Sequence, residues 1–215
     1  MKKLLLLLCV CGCFAVTPLF AQNDYYAVDL TNTNSGGQLA NGPYTVGWSF
    51  VVTSPVFVTD LAVFNPGGAA LLESHTVGIW NSAGTLVDSA VIPAGNVATL
   101  ESNDFFANPQ TWRDVYAPAF LPAGTYTIGA TWNNFLDPMI FDGMLAPGDM
   151  HVDSPIVFLQ NEYIDGGFAE PINTTGDTRS YFGPNFEMTP EPGTLIMLGT
   201  GVLGLAGVLR RKINL

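Results

Sequence analysis

Residues 125–132 read Thr125-Tyr126-Thr127-Ile128-Gly129-Ala130-Thr131-Trp132, a strict alternation that places Tyr126, Ile128, Ala130 and Trp132 at every second position. Successive side chains of an extended chain point to opposite faces, so this octet predicts a half-buried β-strand. Working outward, His75–Trp80 and Thr85–Ile92 flank Asn81-Ser82-Ala83-Gly84, which reads as a β-hairpin whose loop closes on a glycine able to take positive φ. Val46–Val52 and Val56–Phe64 are two more apolar runs, parted by Thr53-Ser54-Pro55. Val115–Phe120 and Ile156–Leu159 read as strands, and Tyr181–Met188 as a closing one. Asn65-Pro66-Gly67-Gly68 and Pro93-Ala94-Gly95-Asn96 are turns by composition. No amphipathic helical period exceeds about two turns here. The expectation is an all-β chain: a single β-sandwich or jelly-roll-like domain over residues 22–188.

The charge pattern narrows what such a domain can meet. The 215-residue chain has 18 acidic and 7 basic side chains, a formal charge of −11. All the acids lie between Asp24 and Glu191, where Arg113 and Arg179 are the only basic residues, so that stretch carries a charge of about −16. A surface of this sign is repelled by nucleic acid and by anionic lipid. It suits a hard cation such as Ca²⁺, or simple solubility.

Both ends of the chain read as addresses. At the start, Lys2 and Lys3 precede an uncharged run over Leu4–Val16, and Ala21 closes a small-residue boundary before Gln22-Asn23-Asp24. That is the order of parts in a secretory signal peptide, here residues 1–21, with cleavage after Ala21. A second route stays open, because Val10-Cys11-Gly12-Cys13 resembles a lipoprotein box in which Cys13 would be lipidated. The three cysteines, Cys9, Cys11 and Cys13, all sit in this leader, so cleavage after Ala21 leaves a domain without disulfides. At the other end, Gly193–Leu209 is uncharged and is followed by Arg210, Arg211 and Lys212. As a helix the run would reach about 25 Å, enough to span a bilayer with snorkelling flanks, and the basic tip would stay cytoplasmic.

Pro190-Glu191-Pro192, then an apolar segment, then an Arg-rich tip resembles the PEP-CTERM sorting signal of Gram-negative bacteria. The resemblance covers 189–215. It implies recognition by a membrane-embedded exosortase, then transfer from an inner-membrane-anchored precursor to the cell surface or exterior. Such cargo goes with exopolysaccharide, biofilm and extracellular matrix. A plain single-span anchor is the alternative reading of the same tail. The motifs "GWSFVVTSPVFVTDLAVFNPGG", "SHTVGIWNSAGTLVDSAVIPAG" and "LPAGTYTIGATW", with "YFGPNF" at 181–186, are similar to an uncharacterised β-sandwich domain common in that group. No catalytic or binding residues come with that likeness.

Signatures of catalysis are sparse. H-E-x-x-H, G-x-S-x-G and P-loop patterns are missing, and a serine triad would have to use His75 or His151. The chain is therefore expected not to be an enzyme. His75, at a strand start, is expected to hydrogen-bond a loop. Asp149, His151 and Asp153 alternate, and on a strand they would share a face, which makes them the candidate metal ligands. Asp137, Asp142, Asp149 and Asp153 cluster in loop-like sequence that could serve Ca²⁺. Trp48, Trp80 and Trp132 fall on predicted strands and are assigned to the core. Trp112, beside Arg113 and Asp114, is the surface candidate for stacking on a sugar. The expected function is an exported structural or adhesive protein. A carbohydrate-binding module, calcium-dependent or not, is the alternative, and a secreted hydrolase is a third reading.

Overall fold

The structure is a computed structural model that describes residues 24–31, 43–102, 105–107, 110–134, 136–139, 148–174 and 183–190. The leader with Ala21 and Cys13, Asp142, and Glu191 through the basic tip at Arg210, Arg211 and Lys212 lie outside the described residues. Among the described residues no helix is long and apolar enough to cross a membrane.

Among the described residues thirteen strands follow in order: β1 (Tyr25–Tyr26), β2 (Val28–Leu30), β3 (Tyr44–Val52), β4 (Val56–Phe64), β5 (His75–Asn81), β6 (Leu86–Ile92), β7 (Thr99–Ser102), β8 (Thr111–Leu121), β9 (Gly124–Trp132), β10 (Met150–Val152), β11 (Ile156–Asp165), β12 (Asn173–Thr174) and β13 (Pro184–Pro190). They form a five-stranded sheet, β1-β13-β4-β8-β7, a six-stranded sheet, β12-β11-β3-β9-β5-β6, and a β10-β2 ribbon, with every pairing antiparallel. The all-β expectation is met. Thr53-Ser54-Pro55 and Pro122-Ala123 are corners: each carries the chain from one sheet to the other, from β3 to β4 and from β8 to β9.

The sheets meet through aromatics. Phe186 of the five-stranded sheet sits between Trp48 and Phe50 of the six-stranded one, at ring-centroid distances of 6.0 and 5.2 Å. Trp48 also donates its indole N–H to the Pro184 carbonyl at 2.9 Å, so its single polar atom is satisfied inside the core. Trp48 and Trp132 are buried in the core, as expected from their strands, whereas Trp80 is buried outside that cluster, its ring 5.1 Å from Phe168. The hairpin is as read: Asn81 Oδ1 accepts the Ala83 and Thr85 N–H groups, and Gly84 has φ 74°.

One expectation needs correcting. β9 is not half-buried: Thr127, Gly129 and Thr131 are buried along with Ile128 and Ala130. Gly47, Gly129 and Gly78 stand in one row across β3, β9 and β5. Without Cβ atoms they leave a shallow channel on the outer face. Pro171 and Phe168 fill it, and a Cβ on Gly129 or Gly78 would meet them at 2.9 and 2.6 Å. Thr45 fixes the covering segment by donating its hydroxyl to the Gly167 carbonyl at 2.9 Å.

The outer face of the five-stranded sheet is covered in the same way at one end. After β1 the chain folds over it, and Tyr26 and Phe64 pack on Trp112 at 5.7 and 5.6 Å. The Asn185 amide clips this segment down, donating to the Val28 carbonyl at 2.7 Å and accepting the Val28 N–H at 3.2 Å.

Candidate functional site

Four strands of the five-stranded sheet bring acids together beneath that N-terminal segment. Glu187 of β13 stands opposite Tyr26 of β1 and Asp60 of β4. Asp114 of β8 stands opposite Thr99 of β7, and Glu101 lies two residues along β7. Glu101, Asp114 and Glu187 place one carboxylate oxygen each within 4.8 Å of one another. The Tyr26 hydroxyl donates to Asp114 Oδ2 at 2.5 Å.

So many acids cannot all ionise cheaply in a buried place. Burial, reinforced by Glu101, Asp114, Asp60 and Asp24, pushes the Glu187 carboxyl up to about 8. Asp114 is pushed up to about 6, by burial first, with Glu101 and Asp60 adding to it and the Tyr26 and Thr99 hydroxyls offsetting part. Burial also raises Asp60, and burial with the Asp114 charge raises the Tyr26 phenol. At neutral pH the cluster therefore retains a proton. Its oxygens are also of the kind a hard cation such as Ca²⁺ takes.

A second polar cluster ties the loop after β9 to the loop before β5. Asp137 accepts the Leu72 and Glu73 N–H groups at 2.8 and 2.9 Å. Glu73 answers by accepting the Asn134 and Leu136 N–H groups at 2.9 and 3.2 Å. The buried His75 ring spans the two, with Nδ1 2.7 Å from the Thr131 carbonyl and Nε2 3.1 Å from Asp137. Both neighbours are oxygen atoms that can accept a hydrogen bond from the ring. Burial alone would raise Asp137, but hydrogen bonds from His75, Leu72 and Glu73 hold it below the usual carboxylate range. His75 thus binds a loop, as read from its place at a strand start.

Of the alternating residues Asp149, His151 and Asp153, the last two come into contact. His151 Nε2 lies 3.3 Å from Asp153 Oδ1, and its ring stacks on Phe105 at 3.5 Å. The Asp149 carbonyl accepts the Thr31 N–H at 2.9 Å. Among the described residues the grouping of three possible metal ligands is the Glu101, Asp114 and Glu187 set rather than this one. Asp137 is committed to His75 and two backbone amides.

Trp112 is a correction. It is 1% exposed, not a surface ring. Its charged neighbours turn inward as well: Arg113 is buried and donates to the carbonyls of Gly68, Ala69 and Ala98 and to Asn96 Oδ1, at 2.7–3.2 Å. The exposed aromatics are others. Tyr116 is 77% exposed, Phe57 44% and Phe120 43%, and the Phe57 and Phe120 rings lie 5.7 Å apart on neighbouring β4 and β8. The Glu187 cluster escaped the sequence reading, although acids inside predicted strands, Asp60 and Glu187, were the available signal.

β13 runs to Pro190, so the last strand enters the segment read as the sorting signal, with Thr189 opposite Phe57 and Pro190 opposite Val56. Comparison with curated proteins and with solved structures gave no match. Residues 189–212 match the family model described as the PEP-CTERM protein-sorting motif. The chain therefore carries a PEP-CTERM sorting signal, which implies a secreted protein processed by an exosortase.

Proposed function

We propose that this is a non-enzymatic cell-surface or extracellular-matrix protein, structural or adhesive, that is sorted by its C-terminal signal and works alongside exopolysaccharide in a biofilm. The sorting motif at 189–212 carries this reading. The fold supports it: the polar clusters around His75 and Glu187 hold chain segments to the sandwich, and a cysteine-free stretch of this size reaches a closed core through aromatic packing. The acidic composition disfavours nucleic acid as a partner.

A more specific reading, a carbohydrate-binding module, is favoured by the exposed aromatics of the five-stranded sheet. Phe57, Phe120 and Tyr116 present ring faces of the kind that stack on sugars. Retention of the processed protein on exopolysaccharide from its host tests both readings. Retention that falls several-fold in Tyr116→Ala supports the module; wild-type protein that passes through unretarded leaves the plain structural role. Repeating the measurement with chelator and then with millimolar Ca²⁺ tests whether calcium assists.

A further inference from the structure

The first and last described strands, β1 and β13, begin and end on one side of the sandwich. Tyr25 stands opposite Met188, so β1 enters where β13 exits. Val56 opposite Leu121 and Val52 opposite Gly124 put the corners at Thr53–Pro55 and Pro122–Ala123 on that same side. The leader boundary at Ala21 is four residues before Tyr25, and the apolar run begins at Gly193, three residues after Pro190. Fully extended, these connections span only about 13 Å and about 10 Å. A precursor held in the membrane by the tail must keep this side of the folded body against the bilayer.

The sorting motif also has no free spacer. Its first two residues are rungs of a strand: Thr189 faces Phe57 and Pro190 faces Val56, while β1 has already ended beside Met188. Proline offers no N–H to a ladder and is tolerated where one strand side is open, as it is here. An enzyme that takes this motif as a free extended chain needs these two rungs to part from β4 first.

We propose that the last two rungs of β13, Thr189–Phe57 and Pro190–Val56, gate access of the membrane-embedded processing enzyme to the sorting motif. The inference rests on the exosortase reading. The gate sets the rate of release: chain leaves the membrane only as fast as the end of β13 separates from β4.

The test is pulse-chase processing in the native host, following loss of the tail from the full-length chain. One variant inserts eight Gly/Ser residues between Met188 and Thr189, leaving 189–212 intact. A second, Phe57→Ser, weakens the rung from the β4 side at an exposed position without touching the motif. Losing two rungs' pairing should speed processing on the order of five- to tenfold for the insertion, and less for Phe57→Ser. Thermal melts of the released proteins check that both retain the fold. Prompt processing of wild type with no acceleration in either folded variant overturns the gate and leaves sorting intact. A wild-type chain that never loses its tail takes down the sorting reading and the gate together.

Discussion

Replacing Glu187 by glutamine should stabilise the protein, most of all above neutral pH. Glu187 is 9% exposed and stands among Asp114, Asp60, Glu101 and Asp24, which together with burial push its carboxyl from 4.5 up to about 8. The unfolded chain releases that proton near pH 4.5, whereas the folded chain keeps it until about pH 8. A carboxyl raised on folding contributes stability that is fully present below its unfolded value and is lost as pH climbs through the folded one. At about 1.4 kcal/mol per pH unit the loss by pH 7 would reach roughly 3.4 kcal/mol, and screening at the solvent edge reduces it to about 2 kcal/mol. Glutamine matches the protonated carboxyl in shape and does not titrate, so Glu187→Gln should recover that amount. For a domain of this size the gain corresponds to roughly 4–8 °C in melting temperature. Thermal denaturation of processed wild type and variant from pH 4.5 to 8.5 measures it. Curves that coincide at pH 4.5 and diverge steadily toward pH 8 are expected. A wild-type melting temperature flat across this range, or a variant no more stable at pH 8, would refute the argument.

Three further outcomes follow from the same packing. Arg113→Lys keeps the charge but loses the planar fork that reaches four separate acceptors, and should cost about 2–3 kcal/mol in denaturant unfolding, close to the cost of Arg113→Ala. Asp137 is held low, so its contribution is present above its usual value and disappears as pH falls below it; Asp137→Asn should flatten the acid side of the stability profile, measured between pH 5 and 2. Gly129→Val drives a side chain into Pro171 and Thr45 and should cost about 1–3 kcal/mol, with faster amide exchange in the 166–171 segment.

The strands that carry alternation are legible in the amino-acid order itself. β9 shows a clean period of two over eight residues and its apolar set, Tyr126, Ile128, Ala130 and Trp132, is buried as read, while β3, β4 and the β5–β6 hairpin are legible as apolar runs set off by turn residues. β1 and β2 are not legible in this way, because strands of two and three residues hold too little period to register. Missing them accounts for the misplacing of Trp112. Without a segment lying over the sheet, a tryptophan beside two charges looks like surface; with it, Tyr26 covers the ring and hydrogen-bonds Asp114, while Arg113 turns to loop carbonyls. The glycine row under Phe168 and Pro171 depends on register between three strands, which no single strand's pattern displays. The acid cluster is likewise a product of topology, assembled from β13, β4, β8 and β7. The sorting signal is the opposite case: a local motif with its flanks in fixed order, readable as it stands.

Export and sorting by the C-terminal signal is the claim on which the functional reading turns. Intact-mass and terminal-peptide spectrometry of the protein recovered from its native host decides it. The expected product is a chain beginning at Gln22 and ending near Pro190–Pro192, with the apolar run and the Arg210-Arg211-Lys212 tip removed. A mature chain that still ends at Leu215 would make the tail an ordinary anchor and overturn the sorting reading.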